Sequence, residues 1–271
     1  MPELPEILNR AKEMKETLTG RTITGIEVLQ PKCLNVSEDV FTAALNGARL
    51  IGVTYRGKWI FIETSKGWLL ICMGMGGEIL LVSRPSLPEK RRLLFDFDDD
   101  TCLSVNFWWF GYTHYVPAGE LGSHTMTAKL GPNAIDLSSE DLKEMLNGRR
   151  GGIKAYLLNQ SRVAGIGNAY VHDILFMAGL HPLRSISTFT DTEVNGLMEA
   201  IHRGLQPSVE KGGAFYEVGL HGQKGRFTMD DILIGYREGE PCPVCGATIE
   251  KIKTGSTSSF ICPVCQPLER P

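Results

Sequence analysis

Seven cysteines punctuate this chain, and four of them are spaced for one piece of chemistry. Cys242-Pro-Val-Cys245 and Cys262-Pro-Val-Cys265 are two tight pairs separated by sixteen residues. Two such knuckles supply four thiolates to one tetrahedral zinc ion. Four sulfur ligands leave no open position for water, so such a metal staples a hairpin, here Lys251 to Ser259, and does not catalyse. Disulfides or unliganded thiols are the alternative reading of the same spacing. The other three, Cys33, Cys72 and Cys102, stand alone in apolar or strand-like surroundings and read as buried free thiols.

A second group of candidate residues lies at the N-terminus, which reads MPELPE. Pro2 suits the first turn of a helix, where its missing donor is harmless, and Glu3 and Glu6 suit the positive end of the helix dipole. A chemical reading is also open. Removal of Met1 would leave a secondary amine with a pKa near the ~8 of an α-amino group, partly unprotonated and nucleophilic at neutral pH. Arg56-Gly57-Lys58 reads as a hairpin turn carrying two solvated cations. Gly165-Ile166-Gly167-Asn168 reads as a tight turn, or as a loop that brings backbone amides to a phosphate ahead of a helix. Met73-Gly74-Met75-Gly76 follows a strand, and either methionine could be core filling.

The elements that position these residues follow from periodicity. Leu4, Ile7, Leu8, Ala11, Met14 and Leu18 recur at helical spacing, which predicts an amphipathic helix over residues 3–18. From Thr22 to Val116 the pattern changes to short apolar and β-branched runs, such as Ile60–Glu63, Trp68–Cys72, Glu78–Val82, Leu93–Phe97 and Cys102–Phe107. These predict an antiparallel β-sandwich or barrel, with Asp96 to Asp100 as a solvated hairpin turn. Residues 117–136, rich in Gly, Pro, Ser and Thr, read as the connection to a second domain. Helices are expected at 139–147, 152–160, 168–178 and 190–210, and short strands return around the cysteine pairs. The domain boundaries expected are 1–133, 134–235 and 236–271.

Composition narrows the class. The chain has 271 residues, 42% of them hydrophobic, enough for two compact domains. No stretch approaches the roughly 18 apolar residues of a membrane span, and the opening residues lack the pattern of a signal peptide, so a cytoplasmic protein is expected. The formal net charge is −3, and neither half is basic. Any surface for nucleic acid must therefore be a local patch.

MPELPE, YRGKWI, NQSRVAGIGNAYVHDILFMAGLHP and the closing four-cysteine module occur together and in this order. In them the chain resembles the formamidopyrimidine-DNA glycosylase/endonuclease VIII family across its whole length. The resemblance implies an α+β fold: an N-terminal helix on an antiparallel β-sandwich, then a helix–two-turns–helix domain with a C-terminal zinc finger. It implies a monomeric DNA-repair glycosylase with AP-lyase activity, acting on double-stranded DNA that holds damaged bases or abasic sites. Pro2 would attack the sugar C1′, Glu3 would protonate the sugar ring oxygen, and Glu6 would support it. Lys58 and Asn168 would contact phosphate. Met75 would enter the base stack, Phe110 would wedge the opposite strand, and Gly212 to Thr228 would lie where the family carries a mobile loop. One structural zinc is implied on Cys242, Cys245, Cys262 and Cys265.

The chain also departs from that pattern. Trp108 and Trp109 stand where the family has two arginines, one reading the orphaned base and one holding phosphate. Thr257 lacks the arginine of the zinc hairpin, Cys72 replaces a histidine, Asn159 an aspartate, and Asp173 a glutamate. Tryptophan stacks but cannot reproduce the guanidinium's fork of hydrogen bonds. The sequence therefore predicts a divergent member without a strong preference for cytosine opposite the lesion. The competing expectation is a protein that binds abasic or damaged DNA but has lost base excision. His172, His181, His202 and His221 are expected to be structural or solvated.

Overall fold

Leu4, Ile7, Ala11, Met14 and Leu18 form the buried face of helix α1 (Leu4–Leu18) in the computed structural model, which describes residues 1–268. The chain divides into two compact units, residues 1–129 with 211–226, and residues 130–210 with 227–271.

In the first unit, α1 is followed by β1 (Ile23–Val28), α2 (Glu38–Leu45), β2 (Leu50–Arg56), β3 (Trp59–Thr64), β4 (Gly67–Cys72), β5 (Glu78–Ser83), β6 (Leu93–Phe97), β7 (Thr101–Asn106) and β8 (Tyr112–Val116). The strands form two four-stranded antiparallel sheets, in the orders β1-β6-β7-β5 and β2-β3-β4-β8. Period-two burial places Ile60, Ile62, Leu69 and Ile71 of one sheet in the same core as Phe95, Leu103 and Val105 of the other, with α1 contributing Ile7 and Met14.

Helix α2 is not anticipated by the strand-like reading of residues 22–116. Its acidic first turn, Glu38 and Asp39, and its buried Phe41 and Leu45 one turn apart explain it. The acidic cluster also needs correction at one end. Asp98 to Asp100 make the turn, with Arg21 2.8 Å from Asp99, but Asp96 lies within β6 and accepts from Arg84 at 3.0 Å.

Residues 211–226 belong with the sandwich and not with the helical domain, as the 134–235 boundary had it. The reason lies on the second face of α1. Glu13 accepts from the Leu220 amide at 2.8 Å and also from the Gln223 side chain. Leu220 is fully buried in the sandwich core, and its carbonyl accepts from Leu81 at 2.8 Å.

The second unit holds α3 (Ser139–Leu146), α4 (Ile153–Leu158), α5 (Val171–Met177), α6 (Asp191–Glu210) and the hairpin β9 (Glu250–Thr254) with β10 (Thr257–Ile261). Ser138 and Asp141 close a capping box at the start of α3. Helix α5 begins three residues later than expected, so Asn168 lies in the turn before it. Asp173 on α5 accepts from the amides of Leu233, Ile234 and Gly235 at 2.7, 3.0 and 2.9 Å, fixing the approach to the hairpin. Cys33, Cys72 and Cys102 are buried free thiols, as expected.

Two histidines outside the expected set meet in the sandwich. His114 Nδ1 lies 2.9 Å from His124 Nε2, and His124 Nδ1 lies 2.8 Å from Thr127 Oγ1. Burial, with the neighbouring His124, lowers His114 to about 4. A histidine held neutral in the fold stabilises it above the free pKa of ~6.5, and that contribution is lost as pH falls toward the folded value. From pH 7.5 to pH 5, His114 should therefore contribute a loss on the order of 2 kcal/mol. Urea unfolding at the two pH values should show a smaller loss for His114→Phe than for wild type; equal losses would contradict this assignment.

Candidate active site

The N-terminal candidates come together on the first turn of α1. Pro2 is buried and Met1 is 45% exposed. Glu3 is the N-cap residue and forms a capping box with Glu6, whose carboxylate accepts from the Glu3 amide at 2.8 Å. Both glutamates are buried. The other oxygen of Glu6 accepts from the Ala214 amide at 3.1 Å. Gly213 beside it has φ +97°, and a Cβ there would stand 3.1 Å from Glu6 Cγ, so this close approach depends on glycine.

The Arg56-Gly57-Lys58 turn joins β2 to β3, and its two cations separate. Arg56 is exposed, whereas the Lys58 ammonium lies 3.8 Å from Glu3 with only 16% of its side chain exposed. Arg10, two turns along α1 from Glu3, is buried and donates to the Ile79 carbonyl at 2.8 Å and to Glu13 at 3.0 Å. Desolvation lowers its pKa against the pull of Glu13.

Sequence reasoning missed Glu217, which completes this cluster. Burial, reinforced by the charge of Glu6, raises its carboxyl to about 7, while the chain's N-terminal amine and Arg10 pull it down. The only signal was its place in the glycine-rich 212–228 segment. That segment is a tight turn, with Gly219 donating to Gln223 at 2.6 Å and Gly225 to Glu217 at 3.1 Å.

Met75 and Phe110 are brought to neighbouring loops. Met75 donates to the Trp109 carbonyl at 2.8 Å and accepts from the Trp108 amide at 2.9 Å, a short bridge between the two loops. Gly74 permits it, since a Cβ there would stand 2.3 Å from the Trp109 carbonyl oxygen. Met75, Trp108, Trp109 and Phe110 are 41%, 62%, 65% and 63% exposed. Four large apolar side chains displayed together mark a surface made for contact.

In the second unit, Asn168 is half-buried before α5, with Oδ1 finding no partner among the described residues. Gln160 organises the loop ahead of it, accepting from Gly165 at 2.8 Å and donating to the carbonyls of Leu158 and Ile166 at 3.1 and 2.8 Å. Lys154, also missed, is a buried lysine on α4 that donates to Thr254, Thr257 and the Ser258 carbonyl at 3.3, 3.2 and 2.5 Å. Burial lowers it to about 8. Its inward direction was hinted at by its apolar neighbours on the helix. His172 and His181 are buried, His202 is half-buried and His221 is exposed.

The sulfur atoms of Cys242, Cys245, Cys262 and Cys265 all lie within 4.8 Å of one another. The Cys242–Cys265 and Cys245–Cys262 separations are 3.8 and 3.4 Å. A tetrahedron with Zn–S bonds of 2.3 Å has edges of about 3.8 Å, so the four thiolates fit one zinc.

Family models match in three consecutive blocks. They are the formamidopyrimidine-DNA glycosylase N-terminal domain over residues 1–106, its H2TH domain over 130–218, and a zinc finger found in FPG and IleRS over 239–268. The formamidopyrimidine-DNA glycosylase of Chloroflexus aurantiacus is 36% identical, over 98% of each chain. The chain belongs to the formamidopyrimidine-DNA glycosylase family. Another relative, from Symbiobacterium thermophilum, is 34% identical over 99% of this chain and 90% of its own. Among solved structures, a mutant of the Lactococcus lactis enzyme complexed with Fapy-dG DNA superimposes with a TM-score of 0.90 at 27% identity, covering 98% of this chain and all of the other. A complex of the Lactococcus lactis protein with abasic-site DNA gives 0.89 at 27% identity, covering 98% and 99%. The expected fold, helix and antiparallel sheets followed by an H2TH domain and a four-cysteine finger, is the fold of this family.

The finger's metal is structural, because all four positions around it are taken by sulfur. Chelation should loosen the β9–β10 hairpin and leave the sandwich folded, since the sandwich has its own core. Hydrogen exchange before and after verified zinc removal checks this: faster exchange confined to the finger and the segment around residue 234 is expected, and an unchanged hairpin would refute it.

Proposed function

We propose that this chain is a DNA base-excision glycosylase with AP-lyase activity, and that the Pro2 amine, freed by removal of Met1, is its nucleophile. The observation that carries this reading is the pairing beside Pro2 of a buried Glu3 with a half-buried Lys58, 3.8 Å apart. The amine bonds to C1′ of a damaged nucleotide, the base leaves with the electron pair of the C1′–N bond, and loss of the amine's proton leaves a neutral aminal, which becomes an iminium when the C1′–O4′ bond breaks. Glu3 supplies a proton to the ring oxygen, opening the sugar. The iminium acidifies the C2′ proton, whose removal expels the 3′ phosphate, and a second elimination expels the 5′ phosphate. Lys58 holds the phosphate of the damaged nucleotide, and the Glu6 carboxylate fixes the Glu3 backbone through their 2.8 Å bond.

Asn168 contacts the phosphate backbone in this reading. Met75 fills the space that the base vacates and Phe110 wedges the partner strand, offsetting part of the few kcal/mol that flipping costs. The substrate is double-stranded DNA holding damaged or abasic sites, the enzyme acts as a monomer in the cytoplasm, and residues 1–133, 134–235 and 236–271 serve as catalytic, DNA-binding and finger modules, except that residues 211–226 go with the catalytic module. No helix among the described residues is long and apolar enough to cross a membrane.

Borohydride trapping on abasic-site DNA tests the chemistry. Wild type should form a covalent complex that maps to Pro2. Pro2→Gly should reduce trapping, and Glu3→Gln should slow base release by about 10²- to 10⁴-fold, the usual weight of a general acid. The second reading, a binder of abasic or damaged DNA without base excision, draws on Trp108, Trp109 and Thr257, which replace phosphate- and base-holding arginines. It predicts DNA binding with no trapped complex.

Opposite-base preference follows from the same tryptophans. Each good bidentate contact discriminates by about 1–3 kcal/mol, and an indole cannot make one. Excision of 8-oxoguanine opposite cytosine and opposite adenine should therefore differ by less than about tenfold. A sharp preference for cytosine, at efficiencies typical of the family, would contradict the divergent specificity.

A further inference from the structure

Tyr236, in the second unit, has a backbone that its own side chain resists. Its φ is +63°, in the left-handed region, and 53% of the residue is exposed. Glycine takes that conformation freely, whereas a Cβ meets steric resistance there. A residue held in this way persists only where its surroundings over-determine it, and such strain gathers at sites that bind or react. Among the described residues other than glycine, only Asp100 and Phe110 share the feature, the first in a hairpin turn and the second at the tip that the reading above gives to DNA.

The Tyr236 side chain joins two functional elements. Its hydroxyl donates to the Asn168 carbonyl at 3.3 Å. Its ring lies 5.1 Å from Phe260 on β10 and, edge-on, 5.7 Å from His172 on α5, and those two rings meet each other edge-on at 5.2 Å. The Phe260 amide also donates to His172 Nδ1 at 3.4 Å. Phe260 stands two residues before Cys262, so one tyrosine connects the four-cysteine finger with the turn in front of α5. Gln160 ties that turn from its other side, through Gly165 and Ile166. Ile166 and Gly167 are buried, and Asn168 is the residue that follows them toward the surface, with its Oδ1 unpartnered among the described residues.

We propose that Tyr236 is a positioning residue for DNA binding: its hydroxyl fixes the Asn168 backbone so that the Asn168 side chain is aimed before DNA arrives, and its ring ties that aim to the zinc hairpin. The assignment rests on the reading of Asn168 as a phosphate contact. Tyr236 itself touches no reacting atom and acts through Asn168. A side chain that is already ordered loses little freedom on binding, and this is the source of the gain in affinity. Neither group is charged, so the contribution releases no counterions and does not change with salt.

The test is equilibrium binding of a duplex that holds a tetrahydrofuran abasic-site analogue, by wild type, Tyr236→Phe, Asn168→Ala and the double variant. Tyr236→Phe keeps the ring and removes only the hydroxyl, and circular dichroism verifies the fold of each variant. It should weaken binding by about three- to tenfold, the scale of one hydrogen bond, and by the same factor at low and at high salt. In the Asn168→Ala background the same change should weaken binding by less than about twofold, because the group it aims is gone. A tyrosine that merely stabilised the finger would weaken both backgrounds alike. Wild-type affinity in Tyr236→Phe, or a loss undiminished in the Asn168→Ala background, overturns the proposal. Borohydride trapping of wild type on abasic-site DNA runs beside it. Trapping without coupling between the two residues refutes the Tyr236 assignment alone, and coupling without trapping refutes the glycosylase reading alone.

Discussion

The Glu6 carboxylate is the junction on which the first unit depends. One oxygen holds the Glu3 amide and the other holds Ala214, so a single buried side chain connects the first turn of the chain to a segment more than two hundred residues away. Burying a carboxylate costs several kcal/mol unless hydrogen bonds replace its water. Here backbone donors do so, and the return is position: Glu3, the neighbour of Pro2, and the 211–226 segment are fixed by the same group. Arg10 and Glu13 extend the arrangement along α1, which packs apolar residues on one side and a hydrogen-bonded polar row on the other.

This double use of α1 explains what was legible in the sequence. The apolar row announced a helix because its period of 3.6 is written in residue type. The polar row carries no such mark, since Glu6, Arg10 and Glu13 sit at the spacing of any helix surface. Only the partners, Ala214, Ile79 and Leu220, reveal that Glu6 and Arg10 are buried and Glu13 half-buried, and those lie far along the chain. The same distance hid Glu217, whose environment is assembled by α1, and misassigned the segment around it to the helical domain. The four cysteines, by contrast, were readable because each pair is local and the metal's geometry allows few spacings.

Lys154 and the zinc hairpin show a second division of labour. The metal sets the base of the hairpin, and the lysine holds the far end through Thr254, Thr257 and Ser258. Thr257, where the family uses an arginine, accepts from a buried ammonium here. The substitution removes a cation and leaves the hairpin's internal support intact.

The bridge between the Met75 and Trp109 loops is made entirely of backbone groups. Its strength is indifferent to what side chains it displays, provided that Gly74 keeps the approach clear. Positions 75, 108 and 109 can thus carry other side chains without loss of the bridge, and exposed tryptophans at 108 and 109 are residues that such a mount tolerates. A change of side chain is thus cheap at this exposed rim, whereas Glu3, Glu6 and Arg10 are buried and tied to the core, where any replacement strands a polar partner.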